Sequence, residues 1–152
     1  MKLAEALILR SDRKKRLELL RERLSRIARV QEGDLPAEDP NALLDEVERT
    51  AADLVRLVRQ INRTNATVRL DDGRTIADAI ADRDDLQLRR SVLNGLLQAA
   101  AIKQDRYTKS EVRFQTTVDV GALQKRADDL AREYRELDTT IQAANWRFDL
   151  IE

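Results

Sequence analysis

Asp78, Asp82 and Asp85 recur at i, i+4 and i+7, which puts three carboxylates on one face of a helix, with Asp71 and Asp72 just upstream. Hard cations such as Mg²⁺ or Ca²⁺ take several oxygen ligands, so this is how a helix would offer a divalent metal site. No EF-hand loop and no Glu-x-x-His motif accompanies the cluster, and Arg74, Arg83, Arg89 and Arg90 lie close enough in sequence to neutralise it. The expectation is an ion-paired, solvated face, with these three aspartates as the metal candidates. A second polar group surrounds the turn signal Asp71-Asp72-Gly73: Asn62, Asn65, Arg69, Asp71, Asp72 and Arg74. It is the candidate ligand or partner surface. Asn62-Arg63-Thr64 and Asn65-Ala66-Thr67 have the form of glycosylation sequons, but they read better as groups that end a helix and tie down the turn after it.

Much other chemistry is excluded. The 152-residue chain has no His and no Cys, so triads of the Ser-His-Asp or Cys-His kind, thiol chemistry, disulfides and imidazole metal ligands are absent. No catalytic residue, cofactor or small-molecule substrate is identifiable, and the reading leans away from an enzyme. Lys and Arg total 28 and so do Asp and Glu, so no whole-molecule field favours nucleic acid. Residues 2–32 are locally basic, with ten basic against five acidic side chains. At 3% aromatics no stacking platform for single strands exists, and the basic helix is expected to meet acidic helix faces instead. In MKLAEALILRSDRKKR the apolar part is broken by Glu5 and the basic run follows it, which is not the order of a signal peptide. No stretch approaches the ~18 apolar residues of a membrane span, and a cytoplasmic location is expected.

The elements that must position these groups are helical. Val120, Leu123, Ala127, Leu130, Tyr134, Leu137, Ile141, Ala144, Phe148 and Ile151 step alternately by three and four, the seam of a helix that lies along other helices. At ~1.5 Å per residue this segment would be about 48 Å long. Leu44, Val47, Ala51, Leu54, Val58 and Ile61 form a matching seam, introduced by Asp39 as N-cap and Pro40 at the first helical position. In the first helix Leu17, Leu20, Leu24 and Ile27 continue backwards through Arg13 and Arg10 to Ala6 and Leu3. Those arginines must snorkel or meet carboxylates from another helix. Asp12–Arg16 and Glu22–Arg26 are i,i+4 pairs of favourable orientation. The third helix is apolar at Ile76, Ala79, Ile80, Leu86, Leu93, Leu97 and Ala100 but sparse around DRDDLQLRR.

Thr67–Leu70 and Arg74–Ile76 flank the turn as short β-prone runs, and alternation from Tyr107 to Val118 (Val112, Phe114, Thr116, Val118) reads as a strand. The expected fold is all-α: an elongated antiparallel bundle of four long helices at about 2–32, 40–65, 76–102 and 119–150, in one domain. A small β-hairpin or strand element is expected at 67–76 and 107–118.

Three stretches, MKLAEALILRSDRKKRLELLRERL, INRTNATVRLDDGRTIADAIADRD and DDLAREYRELDTTIQAANW, resemble the septicolysin-like family of small bacterial proteins, over nearly the whole chain. The resemblance implies a bacterial, single-domain, mainly helical protein and supplies no catalytic or cofactor-binding residues. The family's name implies a membrane-active, cytolysin-like toxin as one functional class. The residues themselves favour a structural or interaction protein that forms a homo-oligomer, a dimer or higher, through its heptad seams. Leu130, Tyr134, Leu137, Ile141, Trp146 and Phe148 are the interface candidates, and Trp146, the only tryptophan, is the natural anchor. A ligand- or divalent-cation-binding protein using the Asn62–Arg90 region is the alternative.

Overall fold

The computed structural model of the chain describes residues 1–101 and 113–152. Among these residues there are four α-helices, α1 (Leu3–Ile27), α2 (Pro40–Thr67), α3 (Ile76–Ala100) and α4 (Val120–Arg147). Among the described residues there is no strand. The chain resolves into two compact units, one of Met1–Ala77 with Gln142–Glu152 and one of Asp78–Ile141.

In the first unit α1 and α2 pack side by side. Arg23 pairs with Glu38, Arg16 with Glu46 (2.7 Å) and Arg13 with Asp53 (3.8 Å), so the pairs climb one helix as they descend the other and the two run antiparallel. Arg13 thus finds the carboxylate that its place in an apolar register demands. Arg16 bonds Glu46 across the interface, whereas Glu22–Arg26 forms within the helix at 3.7 Å. The α2 start is capped as expected: the Asp39 carboxylate accepts from Asn41 N–H at 2.9 Å, and Pro40 needs no donor at the first helical position. α1 stops at Ile27, short of residue 32. Beyond the Arg23–Glu38 clasp Arg26 and, past the helix end, Arg29 and Val30 are exposed, and a helical end that buries nothing gains little from continuing. Gly33, at φ 91°, serves the turn beyond it.

The buried face of α2 is rotated from the expected seam. Leu43, Thr50, Leu57, Ile61 and Thr64 are buried, whereas Leu44 is exposed and Ala51 and Val58 are half-buried. The face used therefore steps through two threonines. A threonine can be buried at low cost in a helix when its hydroxyl bonds the preceding turn, and Thr64 Oγ1 donates to the Gln60 carbonyl at 2.8 Å.

The hairpin expected at 67–76 does not form. α2 runs on to Thr67 and α3 begins at Ile76, which leaves a tight loop with one isolated antiparallel bridge, Arg69 to Thr75. Leu70 N–H donates to Arg74 C=O at 2.8 Å and Gly73 N–H to Leu70 C=O at 2.9 Å. A loop this short closes a turn but has no length for paired strands. Residues 113–118 likewise carry no strand, and the rest of the 107–118 alternation lies outside the described residues. A second isolated bridge, Lys2 to Asp149, ties the segment before α1 to the segment after α4, with Leu3 N–H on Phe148 C=O (3.0 Å) and Leu150 N–H on Met1 C=O (2.9 Å).

In the second unit α4 is capped by Asp119, whose carboxylate accepts from Ala122 N–H at 3.0 Å. Its seam faces inward from Leu123 on: Ala127, Leu130 and Ile141 are buried and Leu123, Tyr134 and Leu137 half-buried, whereas Val120 at its start is exposed. On α3, Ala79 and Leu86 are buried and Leu93 and Leu97 half-buried. Arg83 sits in the same register, where its guanidinium bonds Asp138 of α4 at 2.9 Å and Asp84 at 3.1 Å. Burial works against the charge of Arg83, but the two carboxylates outweigh it and hold the guanidinium pKa above its ordinary value. The charge that interrupts the α3 seam is therefore an interhelical tie.

Candidate functional site

The polar groups picked out in the sequence are largely occupied with structure. In the 68–75 turn the Asp72 carboxylate accepts from Arg74 N–H at 3.0 Å and from its guanidinium at 2.6 and 2.9 Å. Those bonds, the side-chain one foremost, hold the Asp72 carboxyl below the usual carboxylate range. Arg69 donates to Gly73 C=O at 2.7 Å, and Asp71 bonds Arg147 at 2.9 Å. Gly73 has φ 87°, a conformation that disfavours any side chain there. Asn62 is exposed and Asn65 half-buried. The group is a self-satisfied turn, and Arg147 anchors it to the end of α4.

On α3, Asp78, Asp82 and Asp85 are exposed, and Asp85 pairs with Arg89 at 3.3 Å. Among the described residues no group of three or more carboxylates is placed to hold a metal ion. No buried side-chain nitrogen or oxygen among the described residues lacks a hydrogen-bond partner.

The interface candidates divide. Leu130 and Ile141 are buried in the chain's own core, Tyr134, Leu137 and Phe148 are half-buried, and Trp146 is 58% exposed. Trp146 borders a shallow groove of about 360 Å³ shared with Ala4, Leu7, Ile8 and Asn145. A larger groove of about 700 Å³ follows α2, with Ala51, Ala52 and Val55 as its floor and Arg56, Arg59 and Arg63 along it. Arg56 leans on Asp53 at 2.9 Å, and Arg63 bonds the Glu152 carbonyl.

An exposed apolar strip that was not singled out from the sequence lies on α3. Leu88 is 65% exposed, Val92 63% and Leu96 40%. They lie round the helix from Leu86, which is buried, and from Leu93 and Leu97, which are half-buried, so α3 is apolar on more than one side. Gly95 sits among them in open space. The signal was present in the sequence: Ala81, Asp85, Leu88, Val92, Gly95 and Ala99 also step by four and three, a second heptad interrupted by one acid and one glycine.

No helix among the described residues is long and apolar enough to cross a membrane. A crystal structure of a functionally unknown conserved protein from Corynebacterium diphtheriae is similar to the chain at 42% sequence identity, covering 99% of each chain with a TM-score of 0.93. Among curated proteins nothing matches. The model of a family of unknown function, DUF6847, matches residues 10–150. These findings overturn the septicolysin-like resemblance, which rested on amphipathic runs of Leu, Arg, Glu and Asp that many long helices share. The chain belongs to the family of unknown function DUF6847.

Proposed function

We propose that the protein is a non-enzymatic structural and interaction module that self-associates through helix faces. One observation carries the reading: α3 keeps a second apolar face, Leu88, Val92 and Leu96, in solvent although its first face is packed. Fully burying a Leu or Val side chain gains roughly 1.5–3 kcal/mol, so covering this strip on two copies gains on the order of 5–10 kcal/mol. Association itself costs roughly 4–15 kcal/mol, which makes the expected oligomer weak, micromolar or looser.

The α4 seam is the lesser contributor, because Leu130 and Ile141 are already covered within the chain. A ligand or cation role for the Asn62–Arg90 region has less support, since Asp71, Asp72 and Asp85 are each ion-paired.

Light scattering and sedimentation equilibrium from about 10 μM to about 1 mM test the proposal. A mass rising with concentration, lowered towards the monomer by Val92→Lys, is the expected result. A strict monomer across that range overturns it.

A further inference from the structure

We infer that two copies pair their α3 helices antiparallel, with Leu88 of one copy against Val92 of the other; this rests on the self-association reading above and specifies its geometry. The outer face of α3 steps through Asp78, Ala81, Asp85, Leu88, Val92, Gly95 and Ala99, alternately three and four residues apart, and every one of these residues is exposed. That is the spacing with which a helix lies along another at a shallow angle.

A parallel pairing would stack each residue on its own copy. Asp85 would face Asp85, two acids side by side, while Gly95 on Gly95 would leave a gap beside Val92. Turning one helix round removes both conflicts. Leu88 then meets Val92 and Val92 meets Leu88, so the two largest side chains of this register fill the centre, and Leu96 flanks it one residue beyond Gly95. Ala81 meets Ala99 at either end. Asp85 meets Gly95, where the missing side chain leaves room for a carboxylate that Arg89 already partners on its own helix at 3.3 Å.

Charge follows the same plan. Residues 91–100 carry no charged side chain, whereas the charged residues of α3, Asp78, Asp82, Asp84, Asp85 and the arginines at 83, 89 and 90, all lie between 78 and 90. The antiparallel arrangement lays each charged half along a neutral half. It also sets the two helix dipoles in opposition, their favourable arrangement. The strip is thus its own complement under a two-fold axis, large on large, small on small and acid on glycine, which identifies a second copy as the occupant.

The absence of native cysteine allows a direct test. Leu88→Cys and Val92→Cys are made in separate chains, and both sites are exposed, so each variant should fold with unchanged circular dichroism. Oxidised alone, neither variant should cross-link. Mixed in equal amounts above the dissociation constant, about half of the dimers, the statistical share, should become disulfide-linked. Cross-linking of either variant by itself means a parallel pairing and overturns the inference. No cross-link in the mixture, with wild type scattering as a dimer, also overturns it but leaves self-association standing. Wild type that scatters only as a monomer fails at the earlier step.

Discussion

Thr64 and Ile151 are joined by a hydrogen bond 87 residues apart in sequence: the backbone N–H of Ile151 donates to Thr64 Oγ1 at 2.9 Å. Thr64 is wholly buried, donates a hydrogen bond from its hydroxyl to Gln60 C=O at 2.8 Å, and through its carbonyl accepts one from Val68 N–H at 2.9 Å. One side chain and its peptide thus hold the end of α2, the turn after it and the segment after α4.

Removing that oxygen should be costly. Thr64→Val keeps the shape and leaves the Ile151 N–H without its acceptor, for a loss of roughly 1–3 kcal/mol. Thr64→Ser keeps the oxygen and loses one methyl group, about 1 kcal/mol. Urea unfolding at low protein concentration gives both values. Hydrogen exchange at Ile151 should accelerate in the valine variant and hold in the serine variant.

Two glycines should respond with opposite signs. Gly73 has open space around it but φ 87°, so Gly73→Ala meets only a backbone penalty, about 1–2 kcal/mol. Gly95 lies within α3, also in open space, and Gly95→Ala should stabilise the monomer by about 0.5–1 kcal/mol. Thermal unfolding of the two variants checks the contrast.

The Arg83–Asp138 tie should be measurable but modest. Asp138 is about a third exposed, and Arg83 keeps Asp84 when Asp138 is lost. Asp138→Ala should therefore cost about 1 kcal/mol once solvent screening is allowed for. A double-mutant cycle with Arg83→Met isolates the pair, and a coupling indistinguishable from zero would remove the interhelical role assigned to Arg83.

Acid should weaken the fold through particular pairs. The carboxyls of Glu38 (with Arg23), Asp72 (with Arg74) and Asp149 (with Lys2) are held below their ordinary values of 4.5, 3.8 and 3.8 by those partners. A carboxyl lowered in the folded state contributes stability above its unfolded pKa and loses it as pH falls through the folded value. Without His, no side chain of ordinary pKa titrates between about pH 5 and 8. Stability should be level there, decline below about pH 4, and decline less at high salt, because these pairs are solvent-exposed.

How far the fold was legible depends on whether a feature is local. The α4 seam could be read because its buried residues are apolar at the period of the helix, and Asp39 and Asp119 because a cap acts on the next turn alone. α2 was read one step round from its buried face, since Leu44, Ala51 and Val58 are more apolar than Leu43, Thr50 and Leu57 taken together. Thr50 and Thr64 are polar residues inside the buried face, and Thr64 is tolerable there because its hydroxyl bonds Gln60 C=O. The candidate site was legible only as a set of polar residues. That Asp71 would meet Arg147 across 76 positions had no local signal. The outer strip of α3 was hidden by Asp85 and Gly95, which dilute its apolar period.

The sequence by itself determined an all-α chain with few breaks, the places where α2 and α4 begin, the inward side of α4, and a chemistry without imidazole or thiol. These follow from backbone periodicity, capping and composition, which act within a turn or two of helix. Only the tertiary structure decided which of two heptad faces on α2 and on α3 is buried, that the 68–75 segment is a turn, and that its acids are spent on arginines. Such choices turn on distant partners. A face is buried when another element supplies a matching surface, and a carboxylate is free or paired according to which guanidinium the fold brings to it.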